Sequence, residues 1–174
     1  RPPRPRPHRR RPPPPQLLFD GSYISDPLAL VLKVAAAGFV AISFLYARDY
    51  LRANDLHKGE FYVLGLFGLL GMMIMISANS LLTMYMGLET LALSQYALVA
   101  IDRNNVTSAE AAMKYFVLGA IASGALLYGI SWVYGATGTI QFDGIAQALA
   151  SNPEANDLPL WFGLAFLIVG IAFK

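Results

Sequence analysis

Five long apolar runs dominate the chain, at about residues 28 to 46, 61 to 78, 80 to 101, 112 to 134 and 160 to 174. About 20 residues rising 1.5 Å each cross the roughly 30 Å of hydrocarbon in a bilayer, and inside that layer every backbone N–H and C=O must find a partner within the protein. Runs of this length predict transmembrane α-helices. The expected fold is therefore all-α, a polytopic transmembrane helix bundle of about five spans over residues 17–174.

The connections orient the bundle. The first, ARDYLRANDLHKGE, carries Arg48, Arg52 and Lys58, and the third carries Arg103. The second connection and residues 135–158 contain no Lys or Arg, and the latter stretch holds Asp143, Glu154 and Asp157. Basic residues accumulate in cytoplasmic loops, so the first and third connections are expected inside and residues 135–158 outside. The opening RPPRPRPHRRRPPPPQ opposes this pattern, because it would place six arginines on the outer face. It lacks the apolar core of a signal peptide, and its composition predicts a disordered Arg/Pro-rich tail, residues 1–16, with no part in function.

Those six arginines are nearly half of the 13 basic residues, against 11 acidic ones, so the rest of the chain is net acidic. The nominal positive charge is no sign of a nucleic-acid partner, and none is expected. There are no cysteines, and the two histidines, His8 and His57, lie outside the apolar runs. Thiolate-bound zinc and iron–sulfur clusters are thereby excluded, and intramembrane haem is argued against. The chain is expected to bind no cofactor or metal itself.

Glu89 is the only formal charge between Leu81 and Ile101. An ionisable side chain near the centre of a span costs on the order of 2.5–3.5 kcal/mol, so it is seldom kept without a partner or a proton to carry. Its neighbours one turn away, Tyr85, Met86, Ala92 and Leu93, offer no counter-charge, which must then come from another helix. Lys114 and Lys174 are the candidates. Lys114 has a local alternative, since Glu110 lies four residues before it on the same helical face. Thr107 and Glu110 form the capping-box pattern TSAE, which predicts the start of the fourth span there. Lys33, close after Asp26, is expected to extend to the outer interface. Gly119 with Ser123, Ala120 with Gly124 and Ala125 with Gly129 are small residues at four-residue spacing, a pattern for close helix packing. After Pro159 only LWFGLAFLIVGIAF precedes Lys174, too few residues to cross, so Lys174 is expected at membrane depth in a chain cut within its last helix.

GLETLALSQYALVA, AAMKYFVLGAIASGALLYGISWVYGATGTI and GLAFLIVGIAFK occur in this order. From about Phe19 to Lys174 the chain closely resembles the subunit N family of bacterial NADH-quinone oxidoreductase, respiratory complex I. The resemblance implies a partial antiporter-like repeat, with Glu89, Lys174 and Lys114 matching the family's intramembrane proton-relay residues. It also implies that NADH, FMN, iron–sulfur clusters and quinone are handled by partner subunits. Neighbouring antiporter-like subunits and the lipid bilayer of the bacterial inner membrane would surround the chain, which alone would be inactive. Two other readings use the same residues: a cation/proton antiporter subunit without redox partners, and a scaffold in which Glu89 and Lys174 only join helices.

Overall fold

The computed structural model describes residues 15–54, 56, 59–151 and 158–174. The Arg/Pro tail expected over residues 1–16 lies outside the described residues, except for its last two positions. Gln16, the last of them, is the first residue of a strand. A two-stranded antiparallel hairpin, β1 (Gln16–Leu18) and β2 (Tyr23–Ser25), is followed by α1 (Pro27–Ala53), α2 (Gly59–Ile76), α3 (Leu81–Val99), α4 (Val106–Thr137), α5 (Phe142–Ser151) and α6 (Leu158–Phe173).

Among the described residues α1, α2 and α4 are long and apolar enough to cross a membrane on length and composition alone. α3 is diluted by Glu89 and several hydroxyl and amide side chains, and α6 has 16 residues. Both pack along the longer helices, and the whole is an all-α membrane bundle with a small hairpin at one end.

Two helix starts are fixed by local chemistry. Asp26 caps α1 by accepting from the Ala29 N–H at 2.6 Å, with Pro27 in the first turn where no amide donor is needed. α4 begins two residues earlier than its TSAE signature indicates. Asn105 is the cap, accepting from the Thr107 and Ser108 amides, and Thr107 sits inside the first turn. Asn is at least as good a cap as Thr, and the earlier position satisfies two orphan donors at once. α4 ends at Gly138, whose φ of 71° permits the left-handed cap that returns its N–H to the Tyr134 carbonyl. α1 likewise outlasts its apolar run and carries Arg48 and Arg52 as helical residues, so the first connection shortens to residues 54–58.

Glycines set the packing. Gly71 of α2 and Gly87 of α3 face each other: a Cβ on Gly71 would lie 2.6 Å from the Gly87 carbonyl oxygen. Gly129 of α4 and Gly163 of α6 repeat the arrangement, a Cβ on Gly129 lying 2.8 Å from the Gly163 oxygen. Small residues let helix backbones approach closely where lipid supplies no hydrophobic drive between helices. α2 with α3 and α4 with α6 thus form two tight pairs, joined by a looser α3–α4 contact. α1 leans on α2 through Phe44, which stacks edge-on against Phe61 and Tyr62.

At one end the hairpin, the α2–α3 turn and the α4–α5 connection are stitched together. The Ile24 N–H donates to the Ser77 carbonyl at 2.9 Å, Asn79 N–H to Ser22 at 2.9 Å, Gln141 Nε2 to the Asp20 carbonyl at 2.8 Å and Leu81 N–H to Ile140 at 2.9 Å. The hairpin loop holds Phe19, Asp20 and Gly21 at φ of 51°, 52° and 83°. Positive φ is strained for Phe19 and Asp20, and the carbonyls this conformation turns outward are the ones Gln141 and Asn79 capture. At the other end the α3–α4 connection meets the start of α2 through an exposed bridge from Arg103 to Glu60, 2.9 Å long.

Candidate functional site

Glu89 projects from the middle of α3 into the junction of the two helix pairs. There its Oε1 accepts from Lys174 Nζ, at the end of α6, at 2.5 Å. The two residues are 85 positions apart in sequence and largely withdrawn from the surface, with side chains 19% and 6% exposed respectively. A second donor reaches the same oxygen: the Ser123 hydroxyl of α4, at 2.5 Å. Ser123 also lies 2.9 Å from the carbonyl of Gly119, one turn back on its own helix. Three helices therefore converge on one carboxylate oxygen.

Aromatic groups close the site. Lys174 Nζ lies 5.9 Å from the centre of the Tyr96 ring, within cation–π range. Tyr96 is buried, packs edge-on against Tyr115 and Phe116 of α4, and lays its hydroxyl in the space where Gly119 has no side chain. Tyr85, one turn before Glu89, lies beside Ser123 and within the field of the Glu89 charge.

The residues singled out from sequence separate here. Glu89 and Lys174 are brought together. Lys114 is not; its ammonium donates to Glu110 at 2.6 Å, and both side chains are well exposed. Lys33, expected to extend toward the outer interface, donates its ammonium to the Tyr23 hydroxyl of the hairpin at 2.6 Å. Ser123, assigned only to packing by its spacing from Gly119, is a direct partner of Glu89. Its span also carries Ser131 and several tyrosines, so the sequence alone held no signal that set Ser123 apart.

Chemically, a carboxylate with an ammonium and a hydroxyl on one oxygen can hold, release or exchange a proton. Among the described residues no group of His, Cys, Asp and Glu is arranged to hold a metal ion.

Residues 78–174 match the family model described as NADH:quinone oxidoreductase/Mrp antiporter, TM, a segment containing Glu89, Ser123 and Lys174. The chain belongs to the NADH:quinone oxidoreductase/Mrp antiporter membrane family. Relatives within this family include the NADH-quinone oxidoreductase subunit N of Alkalilimnicola ehrlichii, 58% identical over 92% of this chain and 33% of its own length. The subunit N of Thioalkalivibrio sulfidiphilus is 54% identical over 90% of this chain and 32% of its own length. The chain spans about a third of the length of the curated relatives it matches. Among solved structures, respiratory complex I from Thermus thermophilus with bound aureothin superposes with a TM-score of 0.67 and 31% identity, over 91% of this chain and 33% of that one. The archaeal membrane-bound sulfane sulfur reductase gives a TM-score of 0.56 and 38% identity, over 63% of this chain and 22% of that one. The antiporter family therefore encompasses the helices that carry the buried ion pair.

Proposed function

We propose that this chain is part of a proton-translocating membrane subunit of NADH-quinone oxidoreductase, in which Glu89 and Lys174 form an intramembrane proton relay coupled to quinone reduction by NADH. The observation that carries this reading is the Glu89–Lys174 pair, two opposite charges from different helices meeting at 2.5 Å in the interior. A lysine withdrawn from water keeps its proton readily only while a counter-charge faces it. With Glu89 against it, Lys174 holds the proton; with Glu89 drawn away or neutralised, Lys174 can pass it on. NADH, FMN, iron–sulfur clusters and quinone belong to partner subunits in this reading, and the surroundings are other membrane subunits in a bacterial inner membrane. Lys114, tied to Glu110, takes a secondary part.

The test uses the full-length subunit in an assembled complex, with quinone-dependent NADH oxidation and proton uptake into vesicles normalised to assembled protein. Glu89→Gln keeps size and hydrogen bonding but removes the charge; assembly should persist while proton uptake falls about tenfold or more, equivalent to about 1.4 kcal/mol on a barrier. Lys174→Ala should impair both readouts, Glu89→Asp should keep partial activity and Lys114→Ala should do less than either. If Glu89→Gln pumps like the parent, the pair only joins helices. A cation/proton antiporter without redox partners would use the same pair, and the family description spans both kinds of protein. Co-purification with flavin and iron–sulfur proteins separates the two.

A further inference from the structure

We propose that Ser123 is a positioning residue for the Glu89–Lys174 pair, its hydroxyl turning between the Glu89 carboxylate and the Gly119 carbonyl according to the charge on Glu89. The inference rests on reading the pair as a proton relay. A serine hydroxyl has one proton and two lone pairs, and here two acceptors compete for that proton: Glu89 Oε1 at 2.5 Å and the Gly119 oxygen at 2.9 Å. Toward an ionised carboxylate the O–H makes a charge-assisted bond, about twice as strong as a neutral one, so the hydroxyl sides with Glu89 while Glu89 is charged. It thereby holds Oε1 where Lys174 also reaches it.

When Glu89 takes up a proton, that advantage is lost. The hydroxyl turns to Gly119, a torsional motion on the picosecond to nanosecond scale, and its oxygen is then free to accept from the new Glu89 O–H. Neither the Ser123 hydroxyl nor the protonated Glu89 carboxyl is left without an acceptor, so little at Ser123 opposes the turn. The environment isolates this choice. Lys174 faces Glu89 from α6, Tyr85 and Tyr96 line the site from α3 itself, and from α4 the described contact to Glu89 is Ser123, since the Lys114 ammonium is held by Glu110. On the α2 side α3 is met by Gly68, Gly71 and Met75, none of which is ionisable. A hydroxyl at 123 thus matches the hydrogen-bonding needs of both charge states, which neither an alanine nor a fixed cation there could do.

Ser123→Ala and Ser123→Thr, placed in the full-length subunit of the assembled complex, test this with two readouts. One is proton uptake coupled to NADH oxidation; the other is the infrared band of the Glu89 carboxyl, assigned by its absence in Glu89→Gln. Ser123→Ala is expected to assemble, because alanine suits a helix, and to lower proton uptake about tenfold, the scale of one lost charge-assisted hydrogen bond. The carboxyl band should shift, and Ser123→Thr should return both readouts toward the parent. If the threonine variant does not assemble, the band position in Ser123→Ala still decides. An unshifted band and parental uptake in Ser123→Ala, with Glu89→Gln inactive, would overturn the role of Ser123 and leave the relay standing. Parental uptake in Glu89→Gln would overturn the relay and this proposal with it.

Discussion

Lys33 and Tyr23 meet where α1 leaves the hairpin, the ammonium donating to the phenol oxygen at 2.6 Å and lying 4.7 Å from the ring centre. Tyr23 titrates below its ordinary value, first because Lys33 donates to its oxygen. The Ser77 hydroxyl acts in the same direction from nearby, although it does not reach full hydrogen-bond geometry. The folded phenol therefore ionises before the unfolded one, whose value is about 10. Stability from this shift is absent below the folded value and grows as pH rises toward the unfolded one. Tyr23→Phe should cost about 1 kcal/mol at neutral pH, the worth of one hydrogen bond, and should remove the extra stabilisation of the parent near pH 9.5, as read by thermal unfolding at about these two pH values. Equal pH slopes in parent and variant would contradict the assignment. At this scale the sequence was most informative where a residue type was costly. A lone glutamate in lipid has to be compensated, and a lysine with too little helix before it has to be buried. Ser123 was not legible as a partner, because a serine four residues from a glycine reads as packing until the rotation of α4 about its axis is known.

The joint between the two helix pairs depends on Gly119, whose missing side chain is the seat of the Tyr96 hydroxyl. Gly119→Ala puts a methyl group where that oxygen sits, and Tyr96 packs against Tyr115 and Phe116, so its ring must shift. Overpacking of this kind typically costs 1–3 kcal/mol, and thermal unfolding of the detergent-solubilised subunit should register a loss of about that size. Gly124, which faces open space on the same helix, is the control; alanine there should be neutral or mildly stabilising. Elements with long apolar runs were foreseeable because lipid leaves so few alternatives. The elements missed are short and lie outside the lipid pattern. α5, FDGIAQALAS, has apolar residues at helical spacing, but its ten residues were read as part of a connection. The hairpin QLLFDGSYIS did carry Asp–Gly between two apolar stretches, a turn signal outweighed by the neighbouring tail and span.

Across the molecule, the connections sort into two groups that agree with the alternation inferred from Lys and Arg. The hairpin, the α2–α3 turn and the α4–α5 connection share one end, while at the other Arg103 of the α3–α4 connection meets Glu60 in the first turn of α2. Asn54 and Ser151, both exposed, belong to opposite groups. Single cysteines replacing them in this cysteine-free chain should be labelled by an impermeant thiol reagent from opposite faces of the membrane, with Asn54→Cys on the cytoplasmic face. Labelling of both from one face would overturn the topology. Charge alone yields an expected orientation, but it does not carry the pairing of α2 with α3 and of α4 with α6. Glycines are scattered along every apolar run, and only their azimuths decide which of them meet.

The stitched end also sets the start of a lever arm. Hydrogen bonds among the hairpin, the α2–α3 turn and the α4–α5 connection hold it, the Leu81 N–H on the Ile140 carbonyl among them, while toward the other end α3 and α4 are joined by the Ser108 hydroxyl on the Val99 carbonyl and the Tyr115 hydroxyl on Gln95. Take Leu81 as the fixed point for a tilt of α3. Glu89 stands eight residues up that lever arm, about 12 Å at helical rise, so a tilt of about five degrees would displace its carboxylate by about 1 Å. Such a displacement would take the 2.5 Å contact with Lys174 out of hydrogen-bond reach.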